Sequence, residues 1–84
     1  MIFLIEYDRQ SMRTLVFERF QNTERRNAQE HRLKIELDRN DQGVLLQREI
    51  LLLEARDEEA LRRTHPRYFE KLPEGLKSPS AAQR

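Results

Sequence analysis

The apolar residues of this chain are gathered in two short blocks, and that clustering limits the folds open to it. Residues 1–20 hold eleven apolar side chains, residues 21–43 hold four, and residues 44–55 hold eight. A core therefore forms only if the two blocks meet, with the polar stretch between them serving as the connection. The first block opens on five consecutive apolar residues, Met1 to Ile5, followed by Tyr7. Its β-branched and aromatic content predicts a strand that is apolar on both faces. After the polar, turn-compatible Asp8-Arg9-Gln10-Ser11, residues Thr14 to Phe20 predict a second strand that closes a hairpin.

The chain has 84 residues, so one domain is the ceiling, and folding buries only about 60–65% of the surface that its unfolded form exposes. Apolar and charged residues each make up 37%, which leaves a small core. There is no cysteine, and a disulfide framework, a thiolate metal site and a cysteine nucleophile are all excluded. No apolar run approaches the roughly 18 residues that a membrane helix requires, and Met1–Ile5 has no basic flank and runs into Glu6 and Asp8, so neither a signal peptide nor a membrane partner is expected. Sixteen basic residues stand against fifteen acidic ones, a net charge of +1. No global field draws the chain to nucleic acid.

Gln21-Asn22-Thr23 carries a helix start signal, with Thr23 as the expected cap and Glu24 at the positive end of the dipole. A helix from about Glu24 to Gln42 follows, closed by Gly43 in a left-handed conformation. Glu30 and Lys34 lie four apart, as do Arg32 and Glu36, which supports the helix. Leu33, Ile35 and Leu37 alternate with period two, so a strand over 31–38 competes with it. Residues 44–54 predict a third strand. Asp57 is a good N-cap for a last helix, with Glu58 and Glu59 in its first turn and Arg62 and Arg63 four residues beyond them. Pro66 either kinks that helix or starts a new one, and His65 before it is biased toward extended backbone. The expected organisation is a single domain over 1–72 and a flexible C-terminal tail over 73–84, where two prolines, a glycine and two serines accumulate.

The order ββαβα gives an α+β fold, a two-layer sandwich with a three-stranded mixed sheet of order 2-1-3. Met1–Ile5 is expected in the centre, and both helices on one face. That arrangement leaves the other face apolar and uncovered, and it predicts a homodimer or a protein partner on that face.

Chemistry-bearing residues gather near the end of the chain. Thirteen arginines against three lysines make Arg25-Arg26 and Arg62-Arg63 candidate phosphate contacts, since guanidinium groups bind phosphate with two-pronged geometry. In Thr64-His65-Pro66-Arg67-Tyr68-Phe69-Glu70 an imidazole, a guanidinium, a phenol and a carboxylate fall together, a set suited to acid/base work on a phosphate ester. Most of these arginines have an acidic residue three or four positions away, which makes them self-neutralised. If one helix ran through Pro66, Leu61, His65, Tyr68 and Leu72 would share a packing stripe. Asp8, at the end of the first strand, suits a metal ligand or catalytic acid, although a lone aspartate in a turn commonly serves the turn. His31 has no second histidine at ligand spacing. The candidate binding residues are thus Arg62, Arg63, His65, Arg67, Tyr68 and Asp8. No catalytic residue, metal or cofactor is assigned, and nucleic-acid binding is disfavoured without an RNP, GxxG or zinc-finger signature.

Phe3-Leu4-Ile5-Glu6-Tyr7-Asp8-Arg9 at the front, with Glu59 to His65 and Arg67-Tyr68-Phe69-Glu70 at the back, resembles a family of small bacterial proteins of unknown function and about this length. The resemblance implies a bacterial, cytoplasmic setting and brings no activity, cofactor or partner. A first strand ending in Tyr7-Asp8 is also similar to the small CRISPR-associated nuclease subunits, but there a helix comes next, where this chain places Leu15-Val16-Phe17-Glu18. The reading favoured by the residues is a non-catalytic interaction or homo-oligomerising module. The alternative is an RNA-binding or phosphodiester-cleaving protein using the cluster over 62–70.

Overall fold

Strand β1, Ile2–Asp8, has the least polar interruption of any segment, and it occupies the middle of the sheet. The computed structural model describes residues 1–70, so Leu72 and the tail expected over 73–84 lie outside the described residues. Strand β2, Arg13–Phe20, pairs with one edge of β1 and strand β3, Arg48–Glu54, with the other, giving the order β2-β1-β3. Both pairings are antiparallel, and this corrects the mixed sheet expected from the sequence. The crossover does leave β2 and β3 parallel to each other, but β1 lies between them and no parallel pair is adjacent.

The turn between β1 and β2 is organised by Asp8. Its carboxylate accepts from the Gln10 N–H at 3.2 Å and the Ser11 hydroxyl at 2.7 Å, and its carbonyl accepts from the Met12 N–H at 2.8 Å. Met12 takes a positive φ of 60° to complete the reversal. The register slips once: Glu6 faces Val16 and Tyr7 faces Thr14, so Leu15 is an extra residue bulged out of β2.

Helix α1, Arg25–Asp41, settles residues 31–38 as helical. A single 3₁₀ turn, Asn22–Glu24, precedes it. Gln21 occupies the capping position expected for Thr23, its N–H donating to the Glu24 carboxylate at 2.8 Å and its carbonyl accepting from the Glu24 N–H at 2.9 Å. At the far end Gly43 sits at φ +76°. Its N–H bonds to the Asn40 carbonyl and that of Val44 to the Arg39 carbonyl, which is the Schellman closure. Residues 44–47, expected as strand, instead include a 3₁₀ turn at Leu45–Gln47. Helix α2, Glu58–Thr64, is capped by Asp57, whose carboxylate accepts from the Ala60 N–H at 2.8 Å. It stops at Thr64, and Pro66 opens a separate 3₁₀ turn, Pro66–Phe69; His65 between them, at φ −134° and ψ 58°, is neither helical nor in the extended conformation expected before a proline.

The core has two halves on opposite faces of the sheet. The side chains of Phe3, Ile5 and Tyr7 pack with Phe17, Leu61 and Tyr68 on one face. Ile2 and Leu4 pack with Phe20, Ala28 and Ile35 on the other. Since alternate strand residues point to opposite sides, α1 covers one face, and α2 with the last 3₁₀ turn covers the other. This corrects the expectation of two helices on one face. A central strand that is apolar on both sides needs cover on both, and Leu61, Tyr68 and Phe69 supply the second. Thr14 fixes that cover in place, its buried hydroxyl donating to the Tyr68 carbonyl at 2.6 Å.

Candidate functional site

Of the residues singled out from the sequence, Arg67, Tyr68 and His65 come together where α2 leads into the last 3₁₀ turn. The Arg67 guanidinium reaches both Glu49 carboxylate oxygens, at 2.5 and 2.6 Å. It also lies over the rings of Tyr7 and Tyr68, at 4.8 and 5.1 Å from their centroids. The Tyr68 hydroxyl donates to the same Glu49 carboxylate at 3.0 Å, and Arg9 Nε approaches it at 3.3 Å. The hydrogen bond from Arg67 holds the Glu49 carboxyl below its ordinary pKa, against the opposing effect of burial. Burial, with the Glu49 carboxylate beside it, pushes the Tyr68 phenol up. The phenol hydrogen is engaged by the Glu49 carboxylate. The His65 ring stacks on Tyr68 at 6.1 Å, with Nδ1 2.8 Å from the Thr64 hydroxyl.

Arg62 and Arg63 stand apart from that cluster and from each other. Arg62 pairs with Glu58 at 3.3 Å and lies over the Phe69 ring at 4.6 Å, while Arg63 pairs with Glu59 at 2.9 Å. Asp8 is at the opposite end of its strand from Met1, engaged in the turn, with Arg48 Nε 3.7 Å away. The Ser11 hydroxyl, outweighing burial, heads the effects that lower its pKa. Arg62, Arg63 and Arg67 each stand beside a carboxylate that offsets their charge and weakens their attraction for a phosphate. Among the described residues no group of three histidine or acidic side chains is arranged to hold a metal ion, and no helix is long and apolar enough to cross a membrane.

Glu6, Arg39, Arg48 and Glu49 are not among the residues singled out from the sequence, yet they anchor two many-membered ion-pair groups. Glu6 is fully buried on the α1 face of β1. Arg39 from α1 grips its carboxylate with two donors, Nε at 2.7 Å and a terminal nitrogen at 3.0 Å, and Arg48 from β3 adds a third. Burial acts to raise the Glu6 pKa, but the bonds from Arg39 and Arg48 outweigh it and the net shift is downward. The available signal was an acidic residue in line with Ile2 and Leu4 on a strand otherwise apolar. Its partners, 33 and 42 positions away, carry no local mark.

The remaining unusual surface is the outer edge of β3. Ala55 N–H bonds to the Met1 carbonyl at 3.1 Å and Arg9 N–H to the Gln47 carbonyl at 2.9 Å. By antiparallel alternation, Glu49, Leu51 and Leu53 then turn their backbone groups toward β1. Arg48, Ile50, Leu52 and Glu54 turn theirs outward, where the Arg48 N–H is taken by the Leu45 carbonyl and no described strand pairs with the rest. The four residues Ile50 to Leu53 are all half-buried, and the seven-residue strand has no proline, glycine or bulge. A groove of about 470 Å³ runs along it, its lining including Glu36, Leu46, Arg48, Ile50 and Leu51. Leu46 there is 90% exposed. The opposite edge, β2, carries the Leu15 bulge, a device that discourages pairing; each edge strand has three charged residues, but those of β3 sit at its ends and leave Ile50 to Leu53 uninterrupted. No family model, no curated protein and no solved structure matches the chain.

Proposed function

We propose that this chain is a non-catalytic protein-interaction module that associates by accepting a strand on the outer edge of β3. The observation that carries the reading is the contrast between its two edges. A bulge-free strand with an apolar centre, whose Ile50, Leu52 and Glu54 direct N–H and C=O groups outward to no described partner, is a template for another strand, and such edges are normally blunted. The sheet face expected to bind a partner is covered by α2 and the last 3₁₀ turn, so the reading moves from the face to the edge. The alternative, RNA binding or phosphodiester cleavage at the 62–70 cluster, has less support, because Arg62, Arg63 and Arg67 are each matched to a carboxylate.

Amide hydrogen exchange resolved along β3 tests this. In dilute protein, Leu51 and Leu53 should exchange slowly and Ile50 and Leu52 fast. Raising the protein concentration, or adding an extract of the native host, should then protect Ile50 and Leu52. Free exchange at both positions under both conditions sinks the reading, as does protection already complete in dilute protein. RNA affinity that falls steeply with salt and is lost in Arg63→Ala with Arg67→Ala would replace it with the alternative.

A further inference from the structure

We infer that the strand accepted by β3 is β3 of a second copy, paired antiparallel about a two-fold axis through Leu51, with the two α1 helices packed side by side above it. The inference rests on the edge reading of the preceding section and adds the partner and the register. In the sequence Arg48-Glu49-Ile50-Leu51-Leu52-Leu53-Glu54, antiparallel self-pairing about Leu51 sets Ile50 opposite Leu52 of the second copy and Arg48 opposite its Glu54. Apolar meets apolar at the centre, and at both ends the facing side chains, Arg48 held by Glu6 and Glu54 held by Arg25, already have their charges answered within each copy. Backbone parity agrees: Arg48, Ile50, Leu52 and Glu54 are the residues with outward groups, and this register matches outward residues only with outward residues. Leu51 falls opposite itself as a non-hydrogen-bonded pair, with Cα atoms about 4.5 Å apart.

The helices fit the same axis. The Arg25–Glu54 ion pair at 2.7 Å ties the start of α1 to the end of β3. The shared bonds of Arg39 and Arg48 to Glu6 tie the end of α1 to the start of β3. Midway between Arg25 and Arg39 is Arg32, and midway between Arg48 and Glu54 is Leu51, so an axis through Leu51 passes beside residues 32 and 33. Helix α1 lies over β1 and β3. With strands about 4.8 Å apart, a helix above the middle of that pair stands about 5 Å from the axis. Its symmetry mate is then about 10 Å away, the contact distance of packed helices. Glu36 of α1 lines the groove at the β3 edge, and Leu33, next to it in a shallow surface depression, is 55% exposed. In the dimer Leu33 meets Leu33 of the second copy, and Gln29 meets Glu36. The product is a continuous six-stranded sheet in which β3 is no longer an edge.

The chain has no cysteine, which makes single-cysteine crosslinking free of background. Under a mild oxidant Leu51→Cys should give a disulfide-linked dimer, because about 4.5 Å lies within the Cα separation a disulfide spans. Ile50→Cys alone and Leu52→Cys alone should not, since each lies diagonal to itself at roughly 8 Å or more. An equal mixture of those two variants should crosslink. Leu33→Glu, at an exposed position that leaves the monomer intact, should weaken association by about tenfold or more by setting two carboxylates together near the axis. A strict monomer in sedimentation at 100 µM overturns the self-pairing, while protection of Ile50 and Leu52 by host extract would leave the edge reading standing. A dimer that crosslinks through Ile50→Cys or Leu52→Cys alone overturns the register. A dimer indifferent to Leu33→Glu overturns the helix contact.

Discussion

A carboxylate with no surface in water, such as Glu6, is stable only while its charge is answered. Two guanidinium groups answer it, one from α1 and one from β3, so the three side chains clamp helix, centre strand and edge strand at one point. Removing one member of a buried ionic group leaves the others uncompensated, at a cost of about 3–5 kcal/mol. A domain this small holds on the order of 5 kcal/mol in total. Glu6→Gln, which keeps the shape and removes the charge, should therefore bring the protein near its unfolding midpoint at 25 °C, as read by urea denaturation. Replacing all three together by apolar residues of similar volume should cost far less, because no charge is then stranded. The pH dependence has a definite sign. The folded Glu6 pKa lies below its unfolded value, so the unfolded chain binds the proton more readily. The stabilisation is complete above the ordinary carboxylate range and is lost as pH falls through the lowered value. Glu49, lowered chiefly by Arg67, contributes with the same sign. Thermal unfolding followed from pH 7 downward should show Tm falling through the acid range in the natural chain, and a shallower fall in Glu6→Gln. A Tm that holds steady down to about pH 2 would show that Glu6 is not the anion described.

At the level of elements, the ends of α1 and α2 rest on single residues whose loss has separable costs. Gly43 has φ +76° and nothing within 4 Å of where a Cβ would stand, so Gly43→Ala strains only the backbone. About 1 kcal/mol is expected, with Gly43→Asn milder. Asp57→Ala removes the bond to the Ala60 N–H and should also cost about 1 kcal/mol. Equilibrium unfolding measures both, and a change below 0.3 kcal/mol at either would contradict the assigned role. These two caps were legible in the sequence because capping is local: the side chain and the groups it satisfies lie within four residues. The central position of β1 and the order β2-β1-β3 were legible for a similar reason, since an uninterrupted apolar run has one place to go. What the sequence concealed was the non-local part. Gln21 displaced Thr23 as the cap because the Glu24 side chain reached back to the Gln21 amide. The second face of the sheet looked bare because its cover comes from Tyr68 and Phe69, beyond a proline that ended α2. In the candidate site Arg67 and Tyr68 were visible as chemical types, but Glu49, which fixes what both can do, lies 18 and 19 positions away.

For the molecule as a whole the limiting quantity is apolar burial, and the sheet distributes it unevenly. Only β1 is buried along most of its length, whereas every residue of β3 from Arg48 to Leu53 remains half-buried. A three-stranded sheet has two edges for one interior strand, and among the described residues no further strand changes that ratio. Pairing β3 with β3 converts two edges into interior strands and covers Leu33, which lies outside either core half. Stability should therefore depend on concentration. Association that is absent from the unfolded state adds about 2.7 kcal/mol at a hundredfold excess over the dissociation constant. For about seventy ordered residues that raises Tm on the order of 10 °C. Because the contacts are apolar at the centre and the flanking charges are paired within each copy, the shift should survive 0.5 M salt nearly unchanged, where an association held by charge would lose most of it. Proline substitution separates the edge from the fold. Leu52 turns its N–H outward, so Leu52→Pro removes no bond to β1 and should fold as a monomer whose Tm no longer varies with concentration. Leu51 turns its N–H toward Ile5, so Leu51→Pro breaks the ladder and should unfold the domain. Equal damage from the two prolines, by circular dichroism, would mean that β3 has no free side.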